Sequence, residues 1–116
     1  MSGTHRIRLR RPWQFQATAG AARWTRRFNR PGRLGADERV WLVCEGFAGG
    51  PLGVALNGQP LGTLPGGGTA GRFEITGALA PRNELLLEGA EHAGSPARSG
   101  DQPPGEVCLE IGRVIQ

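Results

Sequence analysis

Lysine is absent, cysteine occurs only twice, and no apolar stretch runs beyond a few residues. Each shortage excludes something. A transmembrane helix needs about 20 consecutive apolar residues, and none exists here. Arginines near the N-terminus are not followed by the apolar segment that a secretory signal requires. Together these absences predict a cytoplasmic protein with no membrane partner. Cys44 and Cys108 are too few and too far apart for a zinc site. Each lies in a strand-like pattern, so a disulfide would require those strands to pair, and a reducing compartment favours buried or half-buried free thiols. His5 near one end and His92 in a polar segment supply no ligand spacing, so neither a metal nor another cofactor is expected.

A helical period is missing as well. Gly and Pro make up 29 of the 116 residues. That many breakers cannot sit in a helical bundle, but they suit short strands joined by frequent turns. The length is that of one ordinary domain spanning 1–116, large enough to bury a core without a staple.

Charge is uneven. Residues 1–39 hold ten Arg against Asp37 and Glu38, whereas residues 40–116 hold four Arg against eight acids. A positive half of this kind could attract phosphates or an acidic partner. No basic and aromatic motif accompanies it, so nucleic acid is not the expected partner, and genome-wide preference for Arg over Lys accounts for the composition.

Period-two alternation recurs along the chain. From His5 to Phe15, Ile7 and Leu9 face one way while Arg6, Arg8 and Arg10 face the other, with Pro12 marking a strand end or bend. Ala22 to Asn29 alternates again. Arg39 to Phe47 is the richest apolar run and predicts a central strand covered on both faces, with Val40, Leu42 and Cys44 on one side and Trp41, Val43 and Phe47 on the other; Trp41 points out if the first set points into the core. Asn57-Gly58 between two apolar runs predicts a tight hairpin, because a type I′ turn needs positive φ at both central residues. Gly66-Gly67-Gly68 lacks the Lys and following helix of a phosphate loop and reads as a hairpin exit. One helical turn is predicted within 77–83. Thr76 is expected to cap that turn, and Asn83 to take a left-handed conformation before the next strand. Residues 90–105 contain small, polar and turn residues and predict a long, mobile loop. Val107, Leu109 and Ile111 close the chain facing inward. The pattern is an all-β sandwich or jelly roll of about eight mostly antiparallel strands.

Four segments in order resemble the sugar-binding jelly-roll domain of family 2 glycoside hydrolases, here as a stand-alone, galactose-binding-like domain. Trp24-Thr25-Arg26-Arg27-Phe28-Asn29-Arg30-Pro31 is similar to that family's aromatic, Arg-Arg-Phe, Pro segment. Arg39-Val40-Trp41-Leu42 with Glu45-Gly46-Phe47 resembles its next strand. Asn57-Gly58, Leu61-Gly62 and Gly66-Gly67 resemble its hairpin, and Phe73-Glu74-Ile75-Thr76 with Asn83-Glu84-Leu85 its ending. The resemblance covers Trp24 to Leu87. It implies the ancillary domain that precedes the catalytic barrel of β-galactosidases and β-glucuronidases, without the barrel that carries their carboxylates.

Catalysis is not expected from the residues themselves. Glycoside cleavage needs two carboxyl groups facing each other across a cleft. The ten acids here are scattered singly. Sugar binding needs an aromatic ring for the apolar face of a pyranose, beside planar hydrogen-bonding groups. Trp41, Trp24 and Trp13 are the candidate platforms, with Trp41 foremost. The expected function is therefore a non-catalytic carbohydrate-binding-like module. The alternative is a protein-interaction or assembly module on the same fold, with Arg6, Arg8 and Arg10 as its interaction face.

Overall fold

The computed structural model describes residues 4–18, 20–32, 34–47, 49–90 and 103–113. Nine strands run in the order β1 (His5–Arg8), β2 (Gln14–Thr18), β3 (Ala21–Asn29), β4 (Glu38–Glu45), β5 (Leu52–Leu56), β6 (Gln59–Leu64), β7 (Gly71–Glu74), β8 (Arg82–Ala90) and β9 (Glu106–Arg113). They form two antiparallel sheets, β1-β9-β4-β7 and β2-β3-β8-β5-β6. The fold is a β-sandwich, as the alternation implies. The alternating segment from His5 to Phe15 forms two strands, one in each sheet, with the break near Pro12 that the sequence marks. The chain crosses between layers around Pro12, where a ladder donor is missing.

Inward positions meet between the layers. The four-stranded sheet contributes Val40, Leu42 and Cys44 from β4, with Val107 and Leu109 from β9. The five-stranded sheet contributes Ala22, Trp24 and Phe28 from β3, Leu52, Val54 and Leu56 from β5, and Leu85 and Leu87 from β8. Fully burying each Leu or Val gains roughly 1.5–3 kcal/mol, so these rows hold the two sheets face to face.

Turn chemistry fixes the hairpin between β5 and β6. Asn57 has φ 52° and Gly58 φ 82°, as the Asn-Gly pair predicts. The Asn57 side chain does more than turn the chain. Its Oδ1 accepts from the Glu84 N–H at 2.8 Å, and its Nδ2 donates to Asn83 Oδ1 at 3.0 Å. Asn83 is buried inside β8 and has no positive φ, contrary to expectation. It is a hydrogen-bonding hub: Oδ1 also accepts from the Ala80 N–H at 2.8 Å, and Nδ2 donates to the carbonyls of Ala80 and Phe28 at 2.9 and 3.4 Å.

The helical turn is a 3-10 turn at Thr76–Ala78, and Thr76 does not cap it. Its hydroxyl accepts from the Val40 N–H at 2.8 Å instead, tying the turn to β4. The amides of Gly67 and Gly68 donate to the carbonyls of Gly49 and Phe47, so the three-glycine segment anchors one loop to another. Ala90 belongs to β8 and residues 103–105 lead into β9, while 91–102 of the expected loop lie outside the described residues. Among the described residues no helix is long and apolar enough to cross a membrane.

Candidate functional site

The three tryptophans are placed very differently. Trp24 is 1% exposed and Trp13 5% exposed, both in the core. Trp24 occupies an inward position of β3, opposite Leu87. Trp13 donates its indole N–H to the Leu9 carbonyl at 2.9 Å. Trp24 offers no ring face to solvent, which corrects it as a stacking platform, whereas Trp13, though largely covered, lines a cleft of about 490 Å³ with Arg8, Arg10 and Glu106.

Trp41 does project from the outer face of the four-stranded sheet, half-buried, while Val40, Leu42 and Cys44 point inward. Its ring is already covered. The Arg72 guanidinium sits over it, 4.7 Å from the ring centroid, an attraction of about 0.5–1 kcal/mol at an exposed site. Arg72 also pairs with Glu110, whose other oxygen lies 3.0 Å from Arg6 Nη2. Burial opposes the charge on Glu110, yet hydrogen bonds from Arg72 and Arg6 prevail and hold its carboxyl below the usual range. A pyranose stacking on Trp41 would have to displace Arg72.

Arg6 and Arg8 share that outer face but do not present a bare cationic strand. Arg6 lies 3.5 Å from Glu45, and Arg8 lies 3.8 Å from Glu106. The basic first third and the acidic remainder meet because β1 pairs with β9. Arg10 lies beyond β1, exposed.

A cleft of about 730 Å³ opens instead at one flank of the sandwich, between β1–β9 and the β3–β8 pair. Leu9, Phe28 and Leu109 provide apolar surface, and Arg8, Arg26, Arg27 and Arg82 ring it. Glu84 is the one acid among the lining residues and lies 3.5 Å from Arg27. The Asn57–Asn83 pair stiffens this rim. Arg26 is the residue that the sequence reading passed over, although its phase was visible: it stands two residues after Trp24 and two before Phe28. Its Nε donates to the Arg10 carbonyl at 2.6 Å, and Nη1 donates to the Arg27 carbonyl. Burial lowers its pKa from the ordinary arginine value. Among the described residues no group of three or more His, Cys, Asp or Glu gathers as a metal site.

The fold and cleft define an antiparallel β-sandwich domain with an open, arginine-lined flank. No protein-family model matches the chain, and no curated protein sequence matches it. Solved structures do. The chain is similar to a β-glucuronidase from Bacteroides uniformis, with TM-score 0.69 and 18% identity over 94% of this chain and 18% of that one. A Bifidobacterium dentium β-glucuronidase complexed with coumarin-3-O-glucuronide gives TM-score 0.60 and 23% identity over 84% of this chain and 22% of that one. A candidate β-galactosidase from Bacteroides fragilis gives TM-score 0.58 and 28% identity over 81% and 15%. The chain thus spans about a fifth of the length of these glycosidases and shares the fold of that portion.

Proposed function

We propose that this chain is a non-catalytic carbohydrate-binding module, of the kind represented by the sugar-binding domain of family 2 glycoside hydrolases. The observation that carries this reading is the superposition of 94% of the chain on a portion of a β-glucuronidase. The cleft supports it, combining apolar ground at Phe28 and Leu9 with planar polar groups at Arg26, Arg82 and Asn29. Trp41 is a second point of attachment only if Arg72 swings away.

Titration with neutral mono- and oligosaccharides, followed by amide NMR shifts, tests the reading. Saturable shifts at 26–29 and 82–84 in the millimolar range are expected. If Trp41→Ala abolishes binding while the fold persists, recognition belongs to the outer face instead. Absence of saturable shifts with every sugar removes the carbohydrate reading.

The second reading, a protein-interaction or assembly module, rests on the outer face with Trp41 and Arg72 stacked at its centre, since buried Trp and Arg often dominate interface energetics. Light scattering over a concentration series tests it. Self-association lost on Trp41→Ala would favour it.

A further inference from the structure

We infer that the flank cleft binds a small organic anion, its carboxylate, sulfate or phosphate held by Arg26 and Arg82 and its carbon skeleton resting on Phe28 and Leu9. The inference goes beyond the carbohydrate reading and does not depend on it.

Phase is the starting point. Ala22, Trp24 and Phe28 are the buried, inward residues of β3, and Arg26 occupies the same face. Directly across from it on β8 stands Leu85, fully buried. Arg26 itself is half-buried, its guanidinium reaching from the inward face to the cleft. Two backbone carbonyls, those of Arg10 and Arg27, hold Arg26 in place. No ion pair among the described residues involves Arg26 or Arg82. The guanidinium is therefore oriented before any ligand arrives and lines an open cavity.

Charge around the cavity points the same way. Four arginines line it; Arg27 lies 3.5 Å from Glu84 and Arg8 3.8 Å from Glu106, which leaves Arg26 and Arg82 as the two without an ion pair among the described residues. Arg82 lies opposite Asn29 in the β3–β8 register, so a second cation and an amide stand at the same rim. Planar guanidinium groups match the paired oxygens of carboxylate, sulfate and phosphate. The apolar floor gives a carbon skeleton a place that an inorganic ion would leave empty.

The test uses the whole chain and four probes: phenyl phosphate, phenyl sulfate, benzoate and neutral phenol, with inorganic phosphate and sulfate alongside. Saturable amide shifts at 26–29 and 82–84 are expected with the three anions and not with phenol. Their ranking identifies the preferred head group. Arg82→Gln, at the exposed rim, should weaken binding roughly tenfold. Arg23→Gln, which removes the same charge from a site paired with Glu88, should leave it unchanged. Arg26→Gln should abolish binding, and Arg82→Gln keeps the test valid if that variant does not fold. Equal weakening by Arg82→Gln and Arg23→Gln would reduce the effect to net charge and overturn the inference, as would phenol binding as well as the anions. Inorganic ions binding as tightly as the phenyl esters would overturn the organic part. Neutral sugars in the same spectra keep the outcomes separate: sugar binding without anion binding sinks this inference alone, and the reverse sinks the carbohydrate reading alone.

Discussion

Cys44 and Cys108 lie on paired strands but project from opposite faces of the sheet. In the β4–β9 register Val43 stands opposite Cys108 and Val107 opposite Cys44, so the thiols are one step out of phase. Cys44 enters the core, and Cys108 lies buried on the other side beside Arg6 and Arg8. Strand pairing was the condition for a disulfide, and it is met. The faces forbid the bond, and both thiols are free.

That arrangement predicts slow thiol chemistry. Burial, with smaller contributions from Cys108 and Glu45, pushes the Cys44 thiol up to about 12. Near pH 8 neither cysteine should react appreciably with Ellman's reagent in the folded protein, and both should react in guanidinium chloride. The same shift has a stability consequence. Between the ordinary value of 9.0 and about 12 the unfolded chain loses the proton while the folded chain keeps it. Stability from this group is complete below 9.0 and declines as pH rises, by about 1.4 kcal/mol per unit through that window. Cys44→Ala should flatten the alkaline decline in a urea-melt series. An unchanged alkaline slope would count against the assignment.

Glu110 works in the opposite direction. It is 7% exposed between Arg6 and Arg72, with its carboxyl held below the usual 4.5. Its contribution is present above 4.5 and disappears as pH falls through the lowered folded value. Glu110→Gln should lower the melting temperature by several degrees at about pH 7, and the gap from the parent should close in strong acid. A gap that persists there would mean that packing, not charge, is lost.

Asn83 should be among the costliest polar substitutions. Asn83→Ala leaves the buried Phe28 carbonyl, the Ala80 amide and the Asn57 side chain without their partner. The expected loss is on the order of 3 kcal/mol by denaturant titration. Asn57→Gly, which keeps the positive φ of the turn, should cost about 1 kcal/mol, and the double variant should cost less than the sum.

Gly66 and Gly67 separate two effects that one glycine-rich segment combines. Both have positive φ, 90° and 69°. A Cβ at Gly66 would overlap the Gly49 carbonyl and approach Gly50 C within 2.9 Å, whereas at Gly67 it would meet nothing within 4 Å. Gly67→Ala should cost about 1–2 kcal/mol through backbone strain alone. Gly66→Ala should cost clearly more, read from the same unfolding curves.

Local chemistry was the legible part of this sequence. Alternation set Val40, Leu42 and Cys44 on one face and Trp41 on the other without deciding which faces in, since Val43 and Phe47 share the Trp41 side, and Asn57-Gly58 announced its turn. What alternation cannot say is which layer a strand joins or who covers it. Trp24 read as a candidate platform because its burial depends on the opposing sheet. Arg6 read as a free cation because Glu110, 104 positions away, reaches it only once β1 pairs with β9. Asn83 read as a backbone device, since its partners come from three separate segments. Arg26 is the exception: its phase with Trp24 and Phe28 was there to be seen, and only the habit of assigning arginine to solvent hid it.

The order of strands also decides how this molecule meets copies of itself. Among the described residues each sheet ends in two strands with unpaired backbone groups, where a neighbour's chain could add on. In the four-stranded sheet these are β1 and β7, each only four residues long and bearing charged side chains. In the five-stranded sheet β6 carries Pro60, and its pairing with β5 is interrupted at Val54/Ala55. β2 has neither device, and its Phe15, stacked 5.2 Å from Trp24, stays 39% exposed. Three borders discourage strand addition by construction. Among the described residues, β2 is the border that offers strand addition the least resistance.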